Sequence, residues 1–155
     1  MKNDIAILFA TMTGNSEASA EELSSLLEEK GHPCRVENLS DYSASRLAEE
    51  TTVLLVVSTW GEGDPPDDAI DFAEELARLD ENSLPNLRYS VFALGDTAYD
   101  EFCGFGKDCD AWLARAGASR MLECECCDLD HDEKMPAWAD AVASQLDRET
   151  TGTAS

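Results

Sequence analysis

Two segments, Asp4 to Ala10 (DIAILFA) and Thr51 to Ser58 (TTVLLVVS), are nearly unbroken apolar runs of strand length. A strand with one wet face alternates apolar and polar residues, so an unbroken run belongs to a strand covered on both faces. The β-branched content of Thr51 to Ser58 makes it the best candidate for a central strand. Amphipathic stretches separate such runs. Glu17 to Lys30 carries Ala20, Leu23, Leu26 and Leu27 at helical spacing, with Gly31 as a stop signal. Cys34 to Leu39 reads as a shorter, more polar strand, and Ala44 to Glu50 as a short helix. Pro66 precedes a helix over Asp67 to Leu79, whose acidic start suits the positive end of a helix dipole. Arg88 to Leu94 is the next strand, Lys107 to Ala116 a helix, Ser119 to Cys124 a strand and Met135 to Asp147 the last helix. Residues 1–148 form one domain, and 149–155 are expected to be a disordered polar tail. Strand followed by helix, five times over, specifies an α/β fold: a doubly wound, five-stranded parallel sheet with helices on both faces and right-handed crossovers.

In such a sheet a ligand lies outside the carboxyl ends of the strands. Three loops follow strands there: Thr11-Met12-Thr13-Gly14-Asn15-Ser16, Ser58-Thr59-Trp60-Gly61-Glu62-Gly63-Asp64 and Leu94-Gly95-Asp96-Thr97-Ala98-Tyr99. The first offers hydroxyls and backbone N–H groups at a helix N-terminus, a phosphate site that needs no lysine or arginine. It matches neither GxxxxGK[ST] nor GxGxxG, which points to a mononucleotide phosphate rather than a pyrophosphate. Trp60 and Tyr99 sit just past strand ends, where a flat isoalloxazine between them gains stacking and shelter from water. Gly61 and Gly63 let the backbone approach a ligand or reorient a peptide at little steric cost. A peptide carbonyl turned inward there favours a ring nitrogen that gains a proton on one-electron reduction. Each loop also has a plain alternative: a helix N-cap, a turn, or a ring packed over its own loop.

These residues, with Pro65, Phe102-Cys103 and Gly106-Lys107, resemble the flavodoxin-type FMN domains of the diflavin reductases, such as sulfite reductase flavoprotein and cytochrome P450 reductase. Small stand-alone flavodoxins of the MioC type share the pattern, which covers residues 4 to 147. The resemblance implies strand order 2-1-3-4-5 with FMN at the switch point. By it, Thr11 to Ser16 hold the FMN phosphate, Ser58 and Thr59 lead into the ring site, Trp60 and Tyr99 flank the isoalloxazine, and the peptide at Gly61, beside Gly63, answers to its redox state. Leu94, Gly95, Asp96, Phe102 and Cys103 contact the ring edge or ribityl chain, and Asp128 matches an acidic residue near the ring. The chain departs from the reductases at Asn15, a position often small or hydroxylic there, and it lacks their FAD and NADPH domains. Electrons are therefore expected from a separate NAD(P)H-dependent flavoprotein reductase. The alternative is an FMN module or subunit of a diflavin reductase. No side chain is assigned as nucleophile or general base.

Charge narrows the partners. Among 155 residues, 33 acidic against 11 basic side chains give a formal net charge of −22. Nucleic acid and anionic membrane are poor partners for such a surface. Acids concentrate around the loops: Glu62, Asp64, Asp67 and Asp68, then Asp96, Asp100 and Glu101, then Asp128, Asp130 and Asp132. That field steers a redox acceptor with a basic surface and opposes an anionic, fully reduced flavin. A solvated acidic surface kept for solubility is the competing explanation.

No secretory signal or membrane-length segment is present, so a cytoplasmic monomer is expected. Its six cysteines then read as reduced thiols. In Cys124-Glu125-Cys126-Cys127 buried strand thiols are favoured over a metal site, because no CxxC pair completes four ligands. A phosphate-signalling receiver of the same fold needs an aspartate at the end of the third strand, where Ser58-Thr59-Trp60 stands.

Overall fold

The computed structural model describes residues 5–10, 15–58, 69–84, 87–94, 104–122, 125–127 and 131–154. The chain runs β1 (Ile5–Ala10), α1 (Asn15–Glu29), β2 (Cys34–Asn38), two 3-10 segments (Leu39–Asp41 and Ala44–Glu49), β3 (Thr52–Ser58), α2 (Ile70–Ala77), β4 (Arg88–Leu94), α3 (Gly104–Arg115), β5 (Ser119–Arg120), β6 (Glu125–Cys127) and α4 (His131–Ala154). The sheet is parallel throughout, in the order β2-β1-β3-β4, with β5 and β6 both on the outer edge of β4. The expected 2-1-3-4-5 order is therefore observed.

One expected element is divided. Instead of a continuous strand over Ser119 to Cys124, β5 pairs with Arg88 and Tyr89, and β6 resumes the ladder opposite Phe92 to Leu94. The Met121 N–H still reaches the Tyr89 carbonyl at 2.9 Å, but the Leu122 N–H turns to Ser90 Oγ at 3.0 Å. Ser90 is fully buried, and this bond gives its hydroxyl a partner. The last helix also exceeds its expected span. Expected over Met135 to Asp147, α4 begins at His131 and carries Pro136 within its second turn. Its apolar positions stop at Leu146, and the helix continues over residues 149–154 of the expected tail.

The period-two pattern of the strands sends successive side chains to opposite layers. Ile5, Ile7, Phe9, Leu54, Val56 and Phe92 pack under α1 and α4, against residues such as Leu23, Leu27, Trp138 and Val142. The intervening residues, including Leu8, Val53, Leu55, Val57, Tyr89 and Val91, pack under α2, α3 and the 3-10 segments. This explains the unbroken apolar runs: β1 is buried at every residue. Across the α2–α3 layer, Arg115 Nη2 donates to the carbonyls of Ala77 and Leu79 at 2.6 and 3.1 Å. That contact caps α2 at Ala77, short of the expected Leu79.

Two buried phenols give the fold an alkaline limit. Burial, then the nearby Asp110 charge, pushes Tyr89 up from 10.0 to about 12. Tyr42 is driven up further by burial, then by its hydrogen bond to Glu50 and that carboxylate's charge. The unfolded chain loses these protons first, so their contribution is intact below about pH 10 and declines as pH rises toward 12. The urea midpoint is expected to fall over that interval, and less steeply in Y89F. A midpoint that stays level between about pH 9 and 12 contradicts this account.

Candidate functional site

Register brings the strand ends to one level. Ala10 pairs with Val57, Ser58 with Leu94, and Leu94 with Cys127, so β1, β3, β4 and β6 all finish along the carboxyl edge. The helices return antiparallel to the strands, which puts the N-termini of α1 and α3 at that edge. Neighbouring strands lie about 4.8 Å apart, so segments leaving adjacent ends can reach a single group of nucleotide size.

Four of the expected site residues are thereby placed: Asn15 and Ser16 open α1, while Ser58 and Leu94 close β3 and β4. Thr11, Met12, Thr13, Gly14, Thr59, Trp60, Gly61, Gly63, Gly95, Asp96, Tyr99, Phe102, Cys103 and Asp128 lie outside the described residues. Their segments are nonetheless bounded by described positions, with Asp128 directly after β6. The donor chemistry fits a mononucleotide phosphate. In the sequence, hydroxyl residues lead directly into the N-terminus of α1, with neither lysine nor arginine between Ala10 and Glu29.

Basic side chains gather at the other end of the sheet. Arg35 and Arg88 lie at the starts of β2 and β4, and Arg120 is level with Tyr89 near the start of β4. Lys30, Arg78 and Arg115 stand at the C-terminal ends of α1, α2 and α3. Most have carboxylate or carbonyl partners there, such as Arg120 to Asp110 at 2.6 and 2.9 Å and Lys30 to Asp140 at 2.7 Å. Lys107 and Lys134 lie instead early in α3 and α4.

The family model described as Flavodoxin matches residues 7–138. The chain belongs to the flavodoxin family. It is 38% identical over 154 residues to the sulfite reductase [NADPH] flavoprotein alpha-component of Bacillus subtilis, covering 99% of this chain and 26% of that protein. The corresponding protein of Vibrio vulnificus is 42% identical over 134 residues, 86% of this chain and 22% of the relative. The chain thus spans about a quarter of the length of these curated relatives. Against solved structures it covers nearly all of a Streptococcus pneumoniae TIGR4 flavodoxin, 98% of that chain and 91% of its own, at 32% identity and a TM-score of 0.79. Oxidised Flavodoxin 2 from Bacillus cereus is matched over 99% of its length and 92% of this chain, at 28% identity and a TM-score of 0.80.

Within this flavodoxin fold two buried features had no sequence signal. Glu50 is 1% exposed and accepts hydrogen bonds from Arg35 and Tyr42, residues separated along the chain and joined only by the β2 crossover. Cys109, inside α3, is fully buried, and burial, followed by the Asp108 and Asp110 charges, pushes its thiol up and keeps it protonated. It is a packing residue there, not a nucleophile. Gly106 received no role of its own from the sequence. It fell just before the expected helix start at Lys107, whereas α3 begins at Gly104 and takes it into the first turn. No helix among the described residues is long and apolar enough to cross a membrane.

Proposed function

We propose that the chain is a one-electron carrier that holds FMN noncovalently at the carboxyl edge of its sheet. The observation that supports this reading is the common level of the ends of β1, β3 and β4, from which the phosphate loop and the two ring-bearing loops depart in sequence. FMN, when bound, supplies the redox chemistry, and the protein sets its orientation, potential and exposure. Thr11, Thr13 and Ser16 hydroxyls and the N–H groups opening α1 hold the phosphate. Trp60 and Tyr99 cover the two faces of the ring and exclude water. The peptide at Gly61 would offer its carbonyl to the ring edge as a hydrogen-bond acceptor, a reorientation that glycine allows at little cost. Leu94, Gly95, Asp96, Phe102 and Cys103 line the ring edge and ribityl chain, with Asp128 on the rim.

The donor on this reading is an NAD(P)H-dependent flavoprotein reductase, and the acceptor is a redox protein with a basic surface. Support comes from the acids in the loops at this edge and from the basic groups drawn to the opposite end. A cytoplasmic monomer is consistent with the thiols Cys34 and Cys109. A second reading, an FMN module or subunit of a sulfite-reductase-type flavoprotein, is favoured by the 38% and 42% identities to proteins about four times longer.

Titrating the purified chain with FMN tests the cofactor. Uptake should quench flavin fluorescence at one equivalent, and the last reduction step should move to a lower potential than in free FMN. A chain that leaves added FMN fluorescent overturns the reading. A last step that becomes easier than in free FMN overturns the role given to the acidic rim.

A further inference from the structure

We infer that Gly106 is a positioning residue for the ring-bearing segment 95–103, acting through the seat of α3 on β4. The inference rests on the FMN reading above, but its geometry is independent of it. Segment 95–103 is strung between two described points, Leu94 at the end of β4 and Gly104 at the start of α3. Gly106 lies in the first turn of α3 and is buried against the sheet. A Cβ built there would overlap the Ala93 Cβ, and would also lie 3.6 Å from both Ala93 Cα and Val91 Cγ1. Ala93 precedes Leu94 and is itself fully buried. The helix therefore meets the strand without a side chain between them, one residue from the point where the segment departs.

A strand cannot yield readily at this place. β4 is held by β3 through the whole register from Arg88–Thr52 to Leu94–Ser58, and by β6 on its other side. An added methyl at residue 106 must instead lift the start of α3, which moves Gly104 relative to Leu94. Interiors packed to crystal-like density pass such displacements on rather than absorb them. Tyr99, the ring assigned to one face of the flavin, is carried between those two points. Gly106 would thus set how far apart the end of β4 and the start of α3 hold the two ends of that segment.

The test uses the full chain with FMN. Gly106→Ala is expected to weaken FMN binding about tenfold or more and to shift the potential and visible circular dichroism of the flavin that remains bound. Ala93→Gly removes the overlapped atom, so A93G/G106A should return both readouts to those of A93G alone. Ala93→Ser adds one atom to the same contact from the strand and serves if G106A does not fold; it should produce the same shift in smaller measure. Gly117→Ala is the control. Gly117 has φ +95°, and a Cβ there would approach Asn82 Cα to 2.9 Å, at the far end of α3. It should lower the unfolding midpoint and leave the potential unchanged.

Unaltered affinity and potential in folded G106A or A93S, with FMN bound normally by the wild type, overturn the positioning role alone. Equal impairment in G106A and A93G/G106A shows that the Ala93 contact is not the cause and overturns it too. A wild-type chain that takes up no FMN overturns both this role and the functional reading.

Discussion

Trp60→Ala and Tyr99→Ala are each expected to weaken FMN binding by about 10- to 100-fold, the loss of roughly 1–3 kcal/mol of stacking and buried apolar area per ring. The register pair Ser58–Leu94 underlies the expectation, because it starts the two ring-bearing segments side by side from adjacent strands. A ring on one loop alone could pack over its own backbone, whereas on the proposed reading two rings leaving neighbouring strand ends serve one ligand. Riboflavin separates their contribution from that of the phosphate loop. W60A and Y99A should lose affinity for riboflavin and FMN in equal proportion, whereas Thr13→Ala should weaken FMN and spare riboflavin. Fluorescence titration measures all of these. FMN affinity at the wild-type level in both W60A and Y99A would remove the rings from the site.

Arg35→Ala is expected to cost about 3–5 kcal/mol of stability, read as a lowered urea midpoint of the apoprotein. Arg35 Nη2 donates to both oxygens of Glu50, at 2.7 and 2.9 Å, and its Nη1 reaches Glu37 Oε2 at 2.7 Å. Tyr42 Oη donates to Glu50 Oε2 at 2.7 Å, and the Arg46 guanidinium covers the Tyr42 ring at 4.3 Å. The Glu50 side chain has no solvent exposure, while that of Arg35 is 28% exposed. Removing Arg35 takes from the buried Glu50 carboxylate its directly bonded guanidinium and leaves the Tyr42 hydroxyl donor, and that loss of the paired charge is what makes the effect large. Replacing all three groups, as R35M/Y42F/E50L, should recover most of the stability, since an apolar substitute carries no desolvation penalty. A loss below about 1 kcal/mol in R35A would place this cluster with ordinary surface ion pairs. Because Arg35 lies near the start of β2, away from the carboxyl edge, saturated FMN binding should be unaffected.

How much of this was legible depended on whether the cause was local. Arg88 to Leu94 emerged with the expected bounds, and Ala44 to Glu50 was recognised as a short helical segment, now 3-10 in form. The divided fifth strand was not foreseen. Residues 119–124 have strand character, but whether each one pairs is decided by what β4 offers, and at Ser90 it offers a hydroxyl to Leu122. The candidate site was readable as three loops with stated chemistry. That Asn15, Ser16, Ser58 and Leu94 share one edge required the register.

Residue types and their periods, by themselves, determined the α/β class and the doubly covered strands, and they supplied the residues on which the proposed site rests. Apolar spacing and helix-terminus signals act over a few residues, within reach of a linear pattern. The tertiary structure alone decided three things: the common level of the strand ends, the pairing of buried Glu50 with Arg35 and Tyr42, and the seat of Gly106 on Ala93. Each joins atoms far apart in the chain, through packing and charge neutralisation that a crossover must first bring within a few ångströms. Periodicity places a residue on a face; only close packing decides which atom it meets there.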